Sequence, residues 1–234
     1  MVQTHFDFVA LSQQLLLAVK TDRDAGDAAR ELAMADETAL AAALATDAER
    51  NAFWINVYNA FTLLILRRTP EQYRRRSRFY AEKQIEVAGK KLSLNDIEHG
   101  ILRRSKLVVS LGYLTKWVVG RFERRFRVAV PDARVHFALN CGAESCPPIR
   151  FYEPDRLEAQ FELATESYLG QTVEYRPAAN EVWLPRIFLW FGGDFGGKTG
   201  IIRFLHAYRL LPEGTRPTLR YVRYDWALRL DNFG

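Results

Sequence analysis

The sequence has few cysteines and no long apolar run, and both shortages limit what the chain can be. Two cysteines among 234 residues, Cys141 and Cys146, are too few for the disulfide framework of a small secreted protein. No stretch approaches the length of uninterrupted apolar residues that a membrane-spanning helix needs. The N-terminal stretch carries an acid and a histidine where a signal peptide has a basic start and an apolar block. We therefore expect a soluble, cytoplasmic protein with free thiols.

The composition predicts one folded unit. The chain is 48% hydrophobic and 13% aromatic, which is enough to bury a full core, and its length fits one large domain better than two small ones. We expect a single globular domain over residues 1–234. The predicted elements run helices, hairpin, helix, strand, helix, hairpin, helix, strand. That order indicates an α+β fold, with a helical N-terminal part around a small central sheet.

Charge is distributed unevenly along the chain. Residues 67–127 carry seventeen Lys or Arg against six acids, whereas residues 1–66 carry four against nine. A basic segment can meet phosphate, anionic lipid or a protein partner, or it can be a solvated helix surface. No nucleic-acid motif accompanies the charge, so we do not expect nucleic acid as a partner. Inside it, the apolar residues 107–120 are too few to span a bilayer, which predicts a core helix or a partner-facing surface.

A long central helix is predicted over residues 47–68. Thr46 and Glu49 have the spacing of a capping box, and the residues that follow are apolar almost all round. Asn56 and Asn59 share the face with the small residues, while Tyr58 lies on the other. A buried amide without a partner costs on the order of 1 to 3 kcal/mol, so each asparagine should hold a backbone group, a loop or a reacting group.

A second capping-box pattern begins a short helix that carries two ionisable residues. Ser93 is a natural N-cap and Asp96 follows three residues later. Glu98 and His99 then lie in the second turn, roughly 100 degrees apart around the axis. Either side chain could face a cleft at the helix end, or both could be structural.

The segment RVHFALNCGAESCPPIRFY, residues 134–152, contains both cysteines and one of the four histidines of the chain. Its first seven residues alternate and are rich in strand formers, which predicts a buried strand. Pro147 and Pro148 then force Cys146 into an extended backbone just beyond that strand. Loops on a rigid scaffold are common positions for functional groups. Asp194, presented between glycines in RIFLWFGGDFGGKTG, is a further candidate.

Three kinds of chemistry can use this segment. In the first, a cysteine becomes a thiolate by losing its proton to an imidazole, and an amide or carboxylate orients that imidazole. In the second, two cysteines and two histidines bind zinc, although C-x4-C without a second cysteine pair is a weak match. In the third, the cysteines pack as small hydrophobes, which we favour for Cys141. The residues involved are Cys141, Cys146, His136, His99, Glu98, Asn140 and Asp194.

Four sequence blocks resemble the uncharacterised family called domain of unknown function 547. They are AFWINVYNAFTL, LSLNDIEHGILR, VHFALNCGAESCPPIRFY and RIFLWFGGDF, and in this order they run from about residue 50 to 196. The family's relatives include fusions to coiled-coil, DEP and glutaredoxin-like domains. The resemblance implies no established activity, but it implies which polar positions belong together: Asn56, Tyr58, Asn59, Glu98, His99, His136, Asn140, Cys146 and Asp194.

Our leading hypothesis is a cysteine-dependent hydrolase or acyl transferase that resembles papain-type thiol enzymes in its parts, with the histidine before the cysteine in the chain. Cys146 would be the nucleophile and His136 the base, with His99 in reserve and Glu98 or Asn140 orienting the ring. Asn56, Tyr58, Asn59 and Asp194 would shape the pocket for a peptide or small-molecule substrate. We expect no cofactor and no catalytic metal. The alternatives are an interaction module with a basic surface and a structural zinc domain.

Overall fold

Four helices open the chain in the computed structural model, which describes residues 6–234. They are α1 (Phe8–Lys20), α2 (Gly26–Met34), α3 (Glu37–Ala43) and α4 (Asp47–Arg68). The predicted bounds of α4 are confirmed, and so is its capping box. The Thr46 side chain accepts the backbone N–H of Glu49, whose carboxylate accepts the N–H of Thr46 in return.

Short elements follow α4. They are a 3-10 helix (Pro70–Arg75), α5 (Arg76–Ala81), β1 (Ile85–Val87), β2 (Lys90–Leu92), a π-helix (Asp96–Leu102), α6 (Arg121–Phe126) and a 3-10 helix (Ala133–Phe137). The C-terminal part contains a 3-10 helix (Pro154–Arg156), α7 (Leu157–Thr172), β3 (Glu174–Arg176), a 3-10 helix (Pro177–Ala179), β4 (Glu181–Leu184), α8 (Ile187–Trp190), α9 (Gly197–Ala207) and β5 (Thr218–Tyr221).

The strands form two small sheets. β1 and β2 are an antiparallel hairpin, as the glycine turn between them predicts. β3 pairs antiparallel with β4, and β5 adds to β4 in parallel. The α+β class is therefore confirmed, with helix α4 rather than a sheet at the centre of the larger core.

Helix α4 is buried on every side, as its nearly continuous apolar sequence predicts. All residues from Asn51 to Leu63 are buried, and α1 packs along the helix. Trp54 meets Phe53, Phe122 and Phe126 in edge-to-face aromatic contacts. A second, smaller core forms around Phe137, Phe188 and Phe195 and packs under the three-stranded sheet.

The strand predicted over residues 134–140 is wrong. Residues Ala133–Phe137 form a 3-10 helix whose first turn is capped by the Asp132 carboxylate, and residues 138–140 continue without a strand partner among the described residues. Residues 135–140 are all buried, so the odd-numbered and the even-numbered side chains are equally hidden from solvent. The side-chain amide of Asn59 takes the place of a neighbouring strand: it donates to the Ala138 carbonyl and accepts the Asn140 N–H, both at 2.9 Å.

The apolar residues 107–119 form an exposed loop. The expectation of a core helix is therefore wrong, and the alternative, a partner-facing surface, stays a prediction. An isolated antiparallel bridge between Lys106 and Thr115 closes the loop. Leu111 anchors it by accepting the Gly193 N–H at 2.8 Å. Across residues 6–234, none of the helices combines the length and the apolar character needed to cross a membrane.

Candidate active site

The π-helix brings two ionisable side chains to one cavity. Its wider turns close on i to i+5 hydrogen bonds, with the Arg103 N–H donating to the Glu98 carbonyl at 2.9 Å and the Ser105 N–H to the Gly100 carbonyl at 2.8 Å. Glu98 and His99 both line the cavity, although they are neighbours on the helix.

Helix α4 positions the cysteine segment through two buried asparagines. Asn59 binds the backbone of Ala138 and Asn140. Asn56 makes the same two-way bridge to Tyr152, donating to its carbonyl and accepting its N–H at 3.0 Å each. Neither amide lines the cavity, so these residues hold loops rather than contact a ligand.

Asn140 closes the loop that joins the two cysteines. Its side chain donates to the Pro147 carbonyl at 2.8 Å and accepts the Gly142 N–H at 2.8 Å. Gly142 has a φ of 87°, and a Cβ there would lie 2.7 Å from a methyl of Leu66. Both the backbone conformation and the close packing therefore require glycine. The chain therefore folds back tightly between Cys141 and Cys146.

The two sulfurs lie 2.7 Å apart. Tyr224 places its hydroxyl 3.2 Å from the Cys146 sulfur and 3.5 Å from the Cys141 sulfur. The Cys141 N–H donates to the Cys146 sulfur at 3.0 Å. Both thiols are free; Cys146 is only 5% exposed, whereas Cys141 is more accessible. Cys141 packs against the larger core, as expected of a small hydrophobe, and it has these polar contacts as well.

The two thiols differ in acidity. The hydrogen bond from the Cys146 thiol lowers the pKa of the Cys141 thiol to about 7, and the Tyr224 hydroxyl lowers it further, against the opposing effect of burial. Burial raises the pKa of the Cys146 thiol well above its usual value, and the Cys141 sulfur adds to this. The pair therefore loses its first proton around pH 7, and the resulting negative charge lies on Cys141.

His136 belongs to a buried charged cluster. Its Nε2 lies 2.8 Å from Oδ2 of Asp194, which also accepts Nε of Arg103 at 2.6 Å. Arg103 in turn contacts Nδ1 of His99. Phe191 stacks on the His136 ring with the centroids 3.8 Å apart, and the Arg103 guanidinium lies over the same phenyl ring. Asp194 is thus the residue that fixes the orientation of His136.

Both imidazoles are neutral at physiological pH. Burial lowers the pKa of His99 to about 4, and the Arg103 charge lowers it further, although Glu98 opposes this. Burial also lowers the pKa of His136, against the hydrogen bond to Asp194. Burial raises the pKa of the Asp194 carboxyl, but the hydrogen bonds from His136 and Arg103 outweigh it and hold that pKa below its usual range.

These groups meet at one cavity of about 270 Å³. Its wall is mostly apolar and aromatic, with a few polar groups, which is the usual make-up of a small-molecule site. The Tyr58 hydroxyl lies there and donates to Oε2 of Glu98 at 3.2 Å. The lining includes Tyr58, Tyr80, Asn95, Glu98, His99, Val108, Leu111, His136, Leu139, Cys141, Cys146, Trp190, Phe191, Tyr224 and Trp226.

The structure brings together five of the nine predicted site residues on the cavity wall: Tyr58, Glu98, His99, His136 and Cys146. Asp194 does not line the cavity, but it is hydrogen-bonded to His136, which does. The remaining three, Asn56, Asn59 and Asn140, bind backbone groups. Within residues 6–234, no hydrogen bond joins an imidazole to either sulfur. The sequence patterns did not indicate Arg103, Tyr224 or the role of Cys141. Arg103 could have been found, since it follows His99 by four residues on a helix.

The four predicted zinc ligands do not form a metal site. No group of three or more His, Cys, Asp or Glu side chains in the described part of the chain is placed to hold a metal ion. The sulfurs instead hydrogen-bond each other, and His99 and His136 are bound to Arg103 and Asp194.

A comparison with protein families identifies the chain. The family model described as "Protein of unknown function, DUF547" matches residues 42–169, more than half of the sequence. The chain belongs to the DUF547 family. The matched region contains the first three resembling blocks and therefore α4, the π-helix and both cysteines of the DUF547 site. No curated protein and no solved structure matches the chain.

Proposed function

We propose that this DUF547 protein is a dithiol enzyme that exchanges thiols with small apolar disulfides. The observation that carries the proposal is the pair of free sulfurs 2.7 Å apart, one acidic and on a partly exposed residue and the other buried and protonated. An attacking thiol works best when its pKa lies near the ambient pH. Cys141 meets that condition, and Cys146 is placed to resolve the product. A reducing compartment such as the cytoplasm would keep both thiols free.

The proposed reaction has two steps. The Cys141 thiolate attacks one sulfur of the substrate R–S–S–R, the substrate S–S bond breaks, and one RS⁻ leaves and takes up a proton. Cys146 then loses its proton and attacks the Cys141 sulfur, which releases the second thiol. The sum is one substrate disulfide and one protein dithiol converted to two RSH and one protein disulfide. An external thiol reduces the protein disulfide and closes the cycle.

The test uses 4,4′-dithiodipyridine with the full-length chain. One equivalent should release two equivalents of thiopyridone per chain, and catalytic amounts of protein should accelerate the reduction of this probe by glutathione. Cys146→Ser should release one equivalent only and keep a mixed disulfide on Cys141, visible by mass spectrometry. The proposal is wrong if turnover is no faster than with free thiol, or if Cys146→Ser turns over normally.

The acidity of Cys141 gives a separate prediction. Labelling of Cys141 by iodoacetamide should rise with pH and reach half its maximum near pH 7. Cys146→Ala removes the main donor to the thiolate, so the midpoint should move toward about 8.5, the value of an ordinary thiol. Cys141→Ser is the control that identifies the labelled site. An unchanged midpoint in Cys146→Ala would mean that another group sets the acidity.

A second candidate is the cysteine-dependent hydrolase or acyl transferase with papain-type parts. The His136–Asp194 pair on the same cavity favours it, because such a pair can shuttle the proton between nucleophile and leaving group. A thiolate would attack the acyl carbon and form a thioester, the leaving group would take up a proton, and water would then release the acid and restore the thiol. With Cys146 as the nucleophile and His136 as the base, Cys146→Ala and His136→Ala would both lose turnover of a nitrophenyl ester, whereas Cys141→Ala would keep it.

A further inference from the structure

The loop of residues 107–119 is the most exposed apolar surface of the described chain. Seven of the thirteen large apolar side chains that are exposed in residues 6–234 lie in this loop. Trp117 is 99% exposed, Val109 90% and Val118 88%. Single exposed apolar residues are ordinary, but such a concentration marks a contact surface.

Backbone contacts fix the shape of this loop. The bridge at its base consists of two hydrogen bonds: the Leu107 N–H donates to the Leu114 carbonyl at 2.9 Å and the Lys116 N–H to the Ser105 carbonyl at 2.7 Å. Gly112 packs against Asp194 so closely that a Cβ would lie 2.6 Å from its carboxylate. The exposed side chains are therefore held outward by a formed loop.

The exposed charges that flank the loop in the sequence are basic. No Asp or Glu occurs between Glu98 and Glu123, and Glu123 is neutralised by Lys116 at 2.9 Å. Arg104, Arg121 and Arg124 near the two ends of the loop are exposed. Apolar side chains with tryptophan and tyrosine, flanked along the chain by exposed arginines, match the layered chemistry of an anionic membrane surface: hydrocarbon beneath, phosphate above.

We propose that residues 107–119 dock this protein on the surface of an anionic lipid bilayer. Val109, Trp117 and Val118 enter the interface, and the flanking arginines contact lipid phosphates. Val108 and Leu111 of the same loop line the cavity that holds the two sulfurs, so docking places the cavity beside the lipid. The inference goes beyond the proposed thiol chemistry and does not depend on it.

Vesicle sedimentation tests the proposal with the full-length chain. Protein should sediment with vesicles of phosphatidylcholine mixed with phosphatidylglycerol, and about tenfold less with phosphatidylcholine alone or at high salt. The double variant Val109→Ser, Trp117→Ser should lose most of the binding, whereas Met34→Ser, which alters an 84% exposed side chain on α2, should not. Arg104→Gln with Arg121→Gln should weaken binding, and Arg216→Gln, at another exposed arginine, is the matched control.

Fluorescence provides an independent readout. Vesicles should shift the tryptophan emission to shorter wavelength, and the shift should vanish in Trp117→Phe. The proposal is overturned if anionic vesicles do not bind, or if Met34→Ser weakens binding as much as the loop variant. Retention on immobilised polyglutamate through Trp117, without vesicle binding, would assign the loop to an acidic protein instead and would equally reject the membrane.

Discussion

Replacing Asp194 with alanine is expected to lower the free energy of unfolding by about 3 to 5 kcal/mol, because it leaves the buried Arg103 without its counter-charge. The side chains of Arg103 and Asp194 are only 2% and 6% exposed, and their atoms lie 2.6 Å apart. Nη2 of Arg103 already has no hydrogen-bond partner among the described residues, and without Asp194 only the neutral His99 and the Phe191 ring would contact its charge. Urea unfolding at neutral pH measures the loss.

The control and the pH dependence make this prediction specific. Asp155→Ala alters an exposed aspartate just before α7 and should change stability by no more than about 0.5 kcal/mol. Since the folded-state pKa of Asp194 is depressed, its stabilisation is complete above the ordinary carboxyl pKa and is lost as the pH falls through the folded value. The difference between parent and Asp194→Ala should therefore shrink in acid. A difference below about 1 kcal/mol at pH 7 would contradict the role of this ion pair.

Local signals predicted the helices better than the segment that holds the thiols. The capping box at Thr46 and the continuous apolar pattern of α4 depend on residues close in sequence, and both are confirmed. The alternation of residues 134–140 predicted a strand, but β-propensity depends on context and a short apolar run does not by itself specify one. What decided the outcome was the amide of Asn59, nearly eighty positions earlier, which occupies the hydrogen-bonding groups of a strand.

The candidate site was predictable as a set of residues but not as an arrangement. Polar side chains in apolar surroundings identified Glu98, His99, His136 and Cys146, and all of them line one cavity. Their partners were not predictable, because the bond between His136 and Asp194 joins positions 58 apart. The acidity of Cys141 depends on a turn that brings the two sulfurs to 2.7 Å, which residue spacing alone does not specify.

Asn59→Ala is expected to lower the free energy of unfolding by about 2 to 4 kcal/mol, because it leaves a buried carbonyl and a buried N–H without partners. The affected groups belong to Ala138 and Asn140. Thermal or urea unfolding measures the change. Gln171→Ala, which removes a side-chain bond on the exposed end of α7, is the control and should stay within about 0.5 kcal/mol.

The same substitution tests how helix α4 affects the thiol pair. Asn140 holds both ends of the loop between Cys141 and Cys146, and Asn59 holds Asn140. If this chain of hydrogen bonds keeps the sulfurs in contact, Asn59→Ala should weaken the donation from Cys146 and raise the pH midpoint at which Cys141 is labelled. A variant that loses stability but keeps its midpoint near pH 7 would show that the prolines and Gly142 hold the pair without help from α4. The acidity of Cys141 would then be a property of the loop itself, and the long central helix would serve the fold alone.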